Sequence, residues 1–398
     1  MLLAASLVPL AAVALARSTG DLFGRQDTCS TPATFAAVDN KVLPDPWKFA
    51  DGRPVATAAD FACRQAEMSK ILQQTELGDF PKPPDSLTAT ISGSSMSLSI
   101  KVGSNSKTIS VAITKPSGGG AGGGPAMIGV GGASVPVPAG VGRINFGNDA
   151  CAAQSNPKSH GTGWFFDLHG KTHSAGATLA WAWCVGRIID GLEQLGPEKT
   201  GIDTKRLGVT GCSRNGKGAF MVGAFEKRIA LTIPQESGSG GAACWRISDS
   251  EKAKGKSIQT AHQIVRENAW FSPKFEEFVD KTNTLPGDHH FLPALVAPRG
   301  LFIVENDIDW LGPVSTTVCM KAGRMIYDAL GARENMGFSL VGGHSHCQFP
   351  SATNANLLSY INKFLLNSGN KTNDVETSKA EVTMADWVGG WSPAPKLA

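Results

Sequence analysis

Gly211-Cys212-Ser213-Arg214-Asn215-Gly216-Lys217 lies between an apolar run, Leu207 to Thr210, and a helix-compatible run, Gly218 to Phe225. That order constrains the chain more than any other segment. A serine wedged between a strand and a helix, with small residues where the backbone must fold sharply, is the layout of a nucleophile elbow. It sets the hydroxyl on a strained turn at a helix N-terminus. The usual form is G-x-S-x-G; here Asn215 stands at the second small position and glycine follows one residue later, at Gly216. Asn tolerates the left-handed region better than most residues, so the turn remains feasible. The competing reading is an ordinary strand-to-helix loop capped by Ser213.

From Ala126 onward, strand-like and helix-like segments alternate. Ala126 to Val130, Leu207 to Thr210, Ile229 to Ile233, Leu301 to Val304 and Phe338 to Val341 read as short buried strands. Helices are expected at Thr178 to Leu195, near Val318 to Leu330, and at Asn354 to Leu366. Such alternation predicts an α/β fold with a mostly parallel central sheet sandwiched between helices. Leu87 to Val102 and Thr108 to Thr114 alternate with period two around a turn at Ser104 to Ser106, which predicts an N-terminal antiparallel hairpin at the sheet edge. The stretch before Gly78 reads as a polar arm, pinned by a bridge. With no internal repeat and no Pro/Ser linker, residues 17–398 read as a single catalytic domain with a core of about 29–366 and a tail from 370.

The formal charge of +3 over 398 residues, without a basic block, points away from nucleic acid and anionic membranes. Met1 to Ala16 is an apolar run ending in Ala14-Leu15-Ala16; it lacks the usual positive start but reads as a signal peptide, which predicts a secreted, extracellular protein. In that setting the eight cysteines, without C-x-x-C spacing, favour disulfides over metal. Asn370-Lys371-Thr372 is a glycosylation sequon consistent with secretion.

A serine hydroxyl needs a base, and the base needs a carboxylate to hold its tautomer. His344-Ser345-His346 follows the last strand, where a hydrolase histidine belongs. His346 is the choice because Cys347 abuts it as Cys212 abuts Ser213. If the two side chains meet, the neighbouring Cα atoms fall within the ~4.4 to 6.8 Å that a disulfide requires. The acid stays open: Glu236 follows one strand, while Glu305, Asp307 and Asp309 follow the next, the commoner position and the one that pattern slightly favours. Backbone N–H of Arg214, aided by its guanidinium, would serve the oxyanion. Lys217, one helical turn past Ser213, can look into the same pocket.

These residues resemble a known family. Gly211 to Lys217 is similar to the G-C-S-R-x-G-K signature of fungal glucuronoyl esterases, carbohydrate esterase family fifteen. Gln235-Glu236-Ser237-Gly238 and Gly343-His344-Ser345-His346-Cys347 look like that family's acid and histidine segments. The resemblance implies the α/β-hydrolase fold and hydrolysis of the ester joining 4-O-methyl-glucuronic acid of glucuronoxylan to lignin alcohols. It implies Ser213 as nucleophile, His346 as base and Glu236 as acid, against the pattern's preference for the later carboxylates. It implies a uronate site of Lys217, Gln259, Glu267 and Trp310, and bridges Cys29–Cys63, Cys212–Cys347 and Cys244–Cys319. Whether Cys151 and Cys184 pair stays open. No metal or organic cofactor is required by this chemistry, and the chain reads as a monomer. Two alternatives remain: another xylan side-chain carboxylesterase, acetyl or feruloyl, and a catalytically silent carbohydrate-binding protein on the same scaffold.

Overall fold

A computed structural model describes residues 29–397. The signal-peptide expectation for Met1 to Ala16 lies outside the described residues. Ten strands form one sheet: β1 (Ser86–Ser92), β2 (Ser95–Val102), β3 (Asn105–Thr114), β4 (Gly124–Val130), β5 (Gly142–Phe146), β6 (Ile202–Cys212), β7 (Ile229–Gln235), β8 (Gly300–Glu305), β9 (Met336–Leu340) and β10 (Glu376–Thr377). Their spatial order is β1-β2-β3-β5-β4-β6-β7-β8-β9-β10. The pairs from β5 through β10 are parallel, and those joining β1, β2, β3 and β5 are antiparallel.

Burial follows this division. Every residue of β4, β8 and β9 is buried, as expected where helices cover both faces of a parallel sheet. In β2 buried residues alternate with more accessible ones, because one face of the antiparallel edge meets water. This is the mostly parallel, helix-covered sheet that the alternation of elements predicts, in the α/β-hydrolase architecture that the resemblance implies.

The N-terminal hairpin is a three-stranded meander. Ser92 pairs with Ser95 and Val102 with Asn105, so two-residue turns fall at Gly93-Ser94 and Gly103-Ser104. Gly93 and Gly103 both have φ of 58°, the positive value such tight turns require. The first turn hides in a Ser-Gly-Ser-Ser run whose small polar residues extend the period-two pattern across it.

The expected polar arm contains a helix, Ala58–Leu72, that opens with a capping box between Thr57 and Asp60. It buries Phe61, Met68, Ile71 and Leu72 and presents Cys63 to Cys29. The tail also packs: β10 pairs with β9, and Trp391 Nε1 donates to Leu43 O at 2.8 Å.

The helix Ala177–Leu195 is buried over nearly its whole length and lies against the helix that follows Ser213, Arg214–Phe225. Trp181 lies at this contact, fully buried, with Nε1 donating to Ala152 O at 2.9 Å. A Cβ at Gly218 would stand 2.5 Å from the Trp181 ring, so the approach of the two helices depends on glycine there. Gly218→Ala is expected to destabilise by about 1–3 kcal/mol through overpacking. Urea unfolding checks this: the midpoint should fall with the slope unchanged, and an unchanged midpoint contradicts the contact.

Candidate active site

Ser213 joins β6 to the helix Arg214–Phe225 at φ 60° and ψ −125°, outside the regions L-residues prefer. Its N–H donates to Gln235 O at 2.9 Å, and its carbonyl accepts from Lys217 N at 2.9 Å. Neighbouring glycines explain how the turn is accommodated. A Cβ at Gly211 would stand 2.4 Å from Asn215 O, and one at Gly216 would stand 2.4 Å from Gln235 O. The second obligatory glycine is therefore Gly216, which frees position 215 for a functional side chain. Asn215 Oδ1 accepts from Asn148 Nδ2 at 3.0 Å and Gln154 Nε2 at 3.3 Å.

His346 and Glu236 come together across 110 residues. His346 Nδ1 lies 2.6 Å from Glu236 Oε2, and Cys347 N donates to the same oxygen at 2.9 Å. With Nδ1 engaged, Nε2 is the ring nitrogen left to exchange a proton. The Glu236 carboxylate is fully buried, whereas the His346 side chain is 30% exposed. Burial alone would raise the Glu236 carboxyl; the bonds from His346 and Cys347 N outweigh it and hold the group below its ordinary value.

Cys212 and Cys347 are bridged, with Cα atoms 5.7 Å apart. One ring nitrogen of His346 lies within 4.8 Å of both bridge sulfurs. Those sulfurs are joined to each other and carry no thiolate, so this trio is a spacing and not a metal centre. The bridge thus sets the imidazole beside the residue preceding Ser213. The Ser213 hydroxyl itself makes no hydrogen bond among the described residues, and a catalytic serine often closes on its base only when substrate arrives.

His344 stands farther from the same carboxylate, its Nδ1 3.7 Å from Glu236 Oε1. Its Nε2 lies 2.7 Å from Val341 O, and Asn306 Nδ2 donates to its carbonyl at 3.2 Å, which buttresses the loop.

The later carboxylates do not reach the imidazole. Glu305 Oε1 accepts from Ser237 N at 2.8 Å, Ser237 Oγ at 2.9 Å and Gly238 N at 3.2 Å. It clamps the turn directly after Glu236, a residue held at φ 45°. Asp307 packs over Gly342, where a Cβ would collide with its carboxylate, and Asp309 is exposed.

The other residues expected at the site are linked to this centre by pairwise contacts. Lys217 is 2% exposed, and its Nζ donates to Ser237 O at 2.6 Å. Burial pushes its ammonium down to about 8, against the pull of Glu305 and Glu267. Gln259 Nε2 donates to Glu267 Oε2 at 3.0 Å, and Gln259 N donates to Trp310 O at 3.2 Å. The Trp310 ring meets His346 edge-on, centroids 4.7 Å apart. Exposed Arg214 and buried Lys217 both lie against Trp270, at 5.5 and 5.4 Å from its ring centroid. Gln154, Asn148 and Trp270 went unnoticed in the sequence, where only the unusual Asn215 hinted at a partner.

Comparison with known proteins gives the family. A profile described as "Glucuronyl esterase, fungi" matches residues 98–331. The chain is 57% identical over 397 residues to the 4-O-methyl-glucuronoyl methylesterase of Thermothelomyces thermophilus, covering 100% of this chain and 99% of that protein.

This chain belongs to the fungal glucuronoyl esterase family.

A second relative of the same description, from Neurospora crassa, is 55% identical and covers 96% of each chain. Among solved structures, the glucuronoyl esterase S213A mutant from Sporotrichum thermophile, in complex with methyl 4-O-methyl-β-D-glucopyranuronate, superposes with a TM-score of 0.90 at 57% identity. It covers 94% of this chain and 100% of that one. The glucuronoyl esterase catalytic domain from Hypocrea jecorina gives 0.89 at 48% identity, covering 92% and 100%.

All eight cysteines are bridged among the described residues: Cys29–Cys63, Cys151–Cys184, Cys212–Cys347 and Cys244–Cys319. The second pair answers the question the sequence left open. It ties the segment bearing Asn148 and Gln154 to the helix Ala177–Leu195.

Burial pushes the Glu305 carboxyl up to about 7. From the ordinary carboxyl range up to about 7, the folded chain holds a proton that the unfolded chain has released, so stability falls as pH rises through that window. Glu305→Gln removes this titration. Melting both proteins at about pH 5 and about pH 7.5 should show the wild type losing more stability than the variant; equal losses contradict the assignment.

Proposed function

We propose that this chain is a secreted serine esterase that hydrolyses the ester between 4-O-methyl-D-glucuronic acid of glucuronoxylan and lignin alcohols. The observation that carries the reading is the 2.6 Å contact between Glu236 and His346, stapled beside an elbow serine. Family membership supports the substrate class, since the Sporotrichum thermophile relative is described in complex with a methyl glucuronate ester.

The chemistry follows from these positions. Ser213 Oγ attacks the uronoyl carbonyl carbon while His346 Nε2 takes its proton, and Glu236 stabilises the resulting imidazolium. Arg214, through its backbone N–H and guanidinium, binds the oxyanion of the tetrahedral intermediate. As the intermediate collapses, the C–O bond to the alcohol breaks and the alcohol leaves with the proton from Nε2. Water then attacks the acyl-enzyme, giving its proton to His346, and Ser213 departs with it. The substrate ester is uncharged, so Lys217 acts through hydroxyl contacts rather than by steering an anion. Gln259 and Glu267 offer bidentate partners for sugar hydroxyls, and Trp310 offers an indole for a sugar C–H face.

Secretion is supported by the Met1 to Ala16 pattern and by the four bridges, which persist in an oxidising compartment. Among the described residues no helix is long and apolar enough to cross a membrane. Asn370 is exposed and available for glycosylation. We take the acting unit to be residues 17–398 as a monomeric catalytic domain.

The decisive assay measures free acid released from methyl 4-O-methylglucuronate. Wild type should turn it over faster than methyl glucuronate, and Ser213→Ala should lower kcat by about a thousandfold or more. Equal rates on the two esters would remove the proposed selectivity for the ether. Acetate release from acetylated xylan, without acid release from either uronate ester, would contradict the substrate assignment.

A further inference from the structure

Arg214 is an exposed, flexible side chain, and its guanidinium meets no carboxylate or carbonyl among the described residues; its partner is the Trp270 ring, 5.5 Å from Cζ to centroid. The same ring receives Lys217 Nζ at 5.4 Å, and Lys217 is buried and close enough for the Arg214 charge to disfavour its own. Two like charges therefore share one desolvated indole, whose negative π-face attracts both.

Trp270 is held at its backbone carbonyl and at its indole nitrogen. Trp270 is 2% exposed, and its carbonyl accepts from Thr178 Oγ1 at 2.8 Å. Its Nε1 donates to Gln154 Oε1 at 2.8 Å, while Gln154 Nε2 donates to Asn215 Oδ1 at 3.3 Å. Gln154 is itself buried, three residues beyond Cys151, whose bridge to Cys184 anchors the segment. A continuous chain of contacts thus runs from the disulfide through Gln154 to both the elbow and the ring beneath its cations. Asn215 takes part only because Gly216 has assumed the steric role its position usually carries.

We propose that Trp270 is a positioning residue for the reaction: its ring, locked to the elbow through Gln154 and Asn215, aims the Arg214 guanidinium at the oxyanion and seats the Lys217 ammonium at the sugar. This rests on the reading above, in which Arg214 binds the oxyanion. Without the ring, Arg214 samples many rotamers in water and must be ordered anew in each turnover, a cost that falls on the chemical step.

A double-mutant cycle on methyl 4-O-methylglucuronate tests this. Trp270→Phe keeps a smaller ring but loses the donor to Gln154, and should lower kcat roughly three- to thirtyfold in the wild type, the range of one cation–π contact. In an Arg214→Ala background the same substitution should change kcat by less than about twofold, because the group it aims is gone. KM should rise in both backgrounds, since the ring contact to Lys217 is weakened in each while its bond to Ser237 O remains. Gln154→Met, which keeps the ring but unfastens it from Asn215, should show the same dependence on background and covers the case in which Trp270→Phe fails to fold. An equal fall in kcat in both backgrounds would overturn the proposal and leave a merely structural tryptophan. An Arg214→Ala enzyme with unchanged kcat would instead remove the oxyanion reading, and this inference with it.

Discussion

The bond between Glu236 and His346 is the constraint to which the rest of the site is fitted. A buried carboxylate is costly unless its oxygens are satisfied, and Glu236 Oε2 takes both His346 Nδ1 and Cys347 N. That arrangement engages Nδ1 and leaves Nε2 as the ring nitrogen that can exchange a proton. It also demands unusual backbone: Ser213, Glu236 and Cys347 have φ of 60°, 45° and 65°, three of the five positive-φ non-glycine residues among those described. Strain of order 1–3 kcal/mol at each persists only where the surroundings over-determine the conformation.

Those surroundings can be named. The Cys212–Cys347 bridge closes a separation of 135 residues and couples the serine turn to the histidine loop. Glu305 holds the turn after Glu236 through Ser237 and Gly238, and Ser237 O in turn receives Lys217. On the other flank, Cys151–Cys184 anchors Gln154, which joins Asn215 to Trp270. One bridge thus serves the acid–base side and another the cation side, with the elbow between them. Rigid support of this kind lets a site keep charged groups aimed without reordering them at each turnover.

Much of this was legible in the sequence, for definite reasons. The elbow showed because a tight strand-to-helix turn demands small residues, and the histidine showed because Cys347 repeats beside it what Cys212 does beside Ser213. Pattern could not separate Glu236 from Glu305: both end buried strands, and only the left-handed turn at Glu236 brings its carboxylate to the imidazole. The family resemblance named Glu236 where pattern leaned the other way. Gln259 stands just before, and Glu267 at the end of, one short helix, Ala261–Glu267, and Trp310 comes from a distant 3-10 turn, Asp309–Leu311, a convergence that no local periodicity reveals. The helix Ala58–Leu72 was overlooked although Thr57-x-x-Asp60 marks its start. The Gly93 turn was overlooked because serines on both sides imitate strand alternation.

The central claim is that Glu236, and not the carboxylate of the next strand, stabilises the imidazolium of His346. It is tested most directly by measuring acid release from a glucuronate ester by Glu236→Ala and Glu305→Ala side by side. The account predicts that Glu236→Ala loses most of kcat, by about a hundredfold or more, while Glu305→Ala retains the larger share of its turnover. A Glu236→Ala enzyme close to wild type, with Glu305→Ala inactive yet folded, would contradict it.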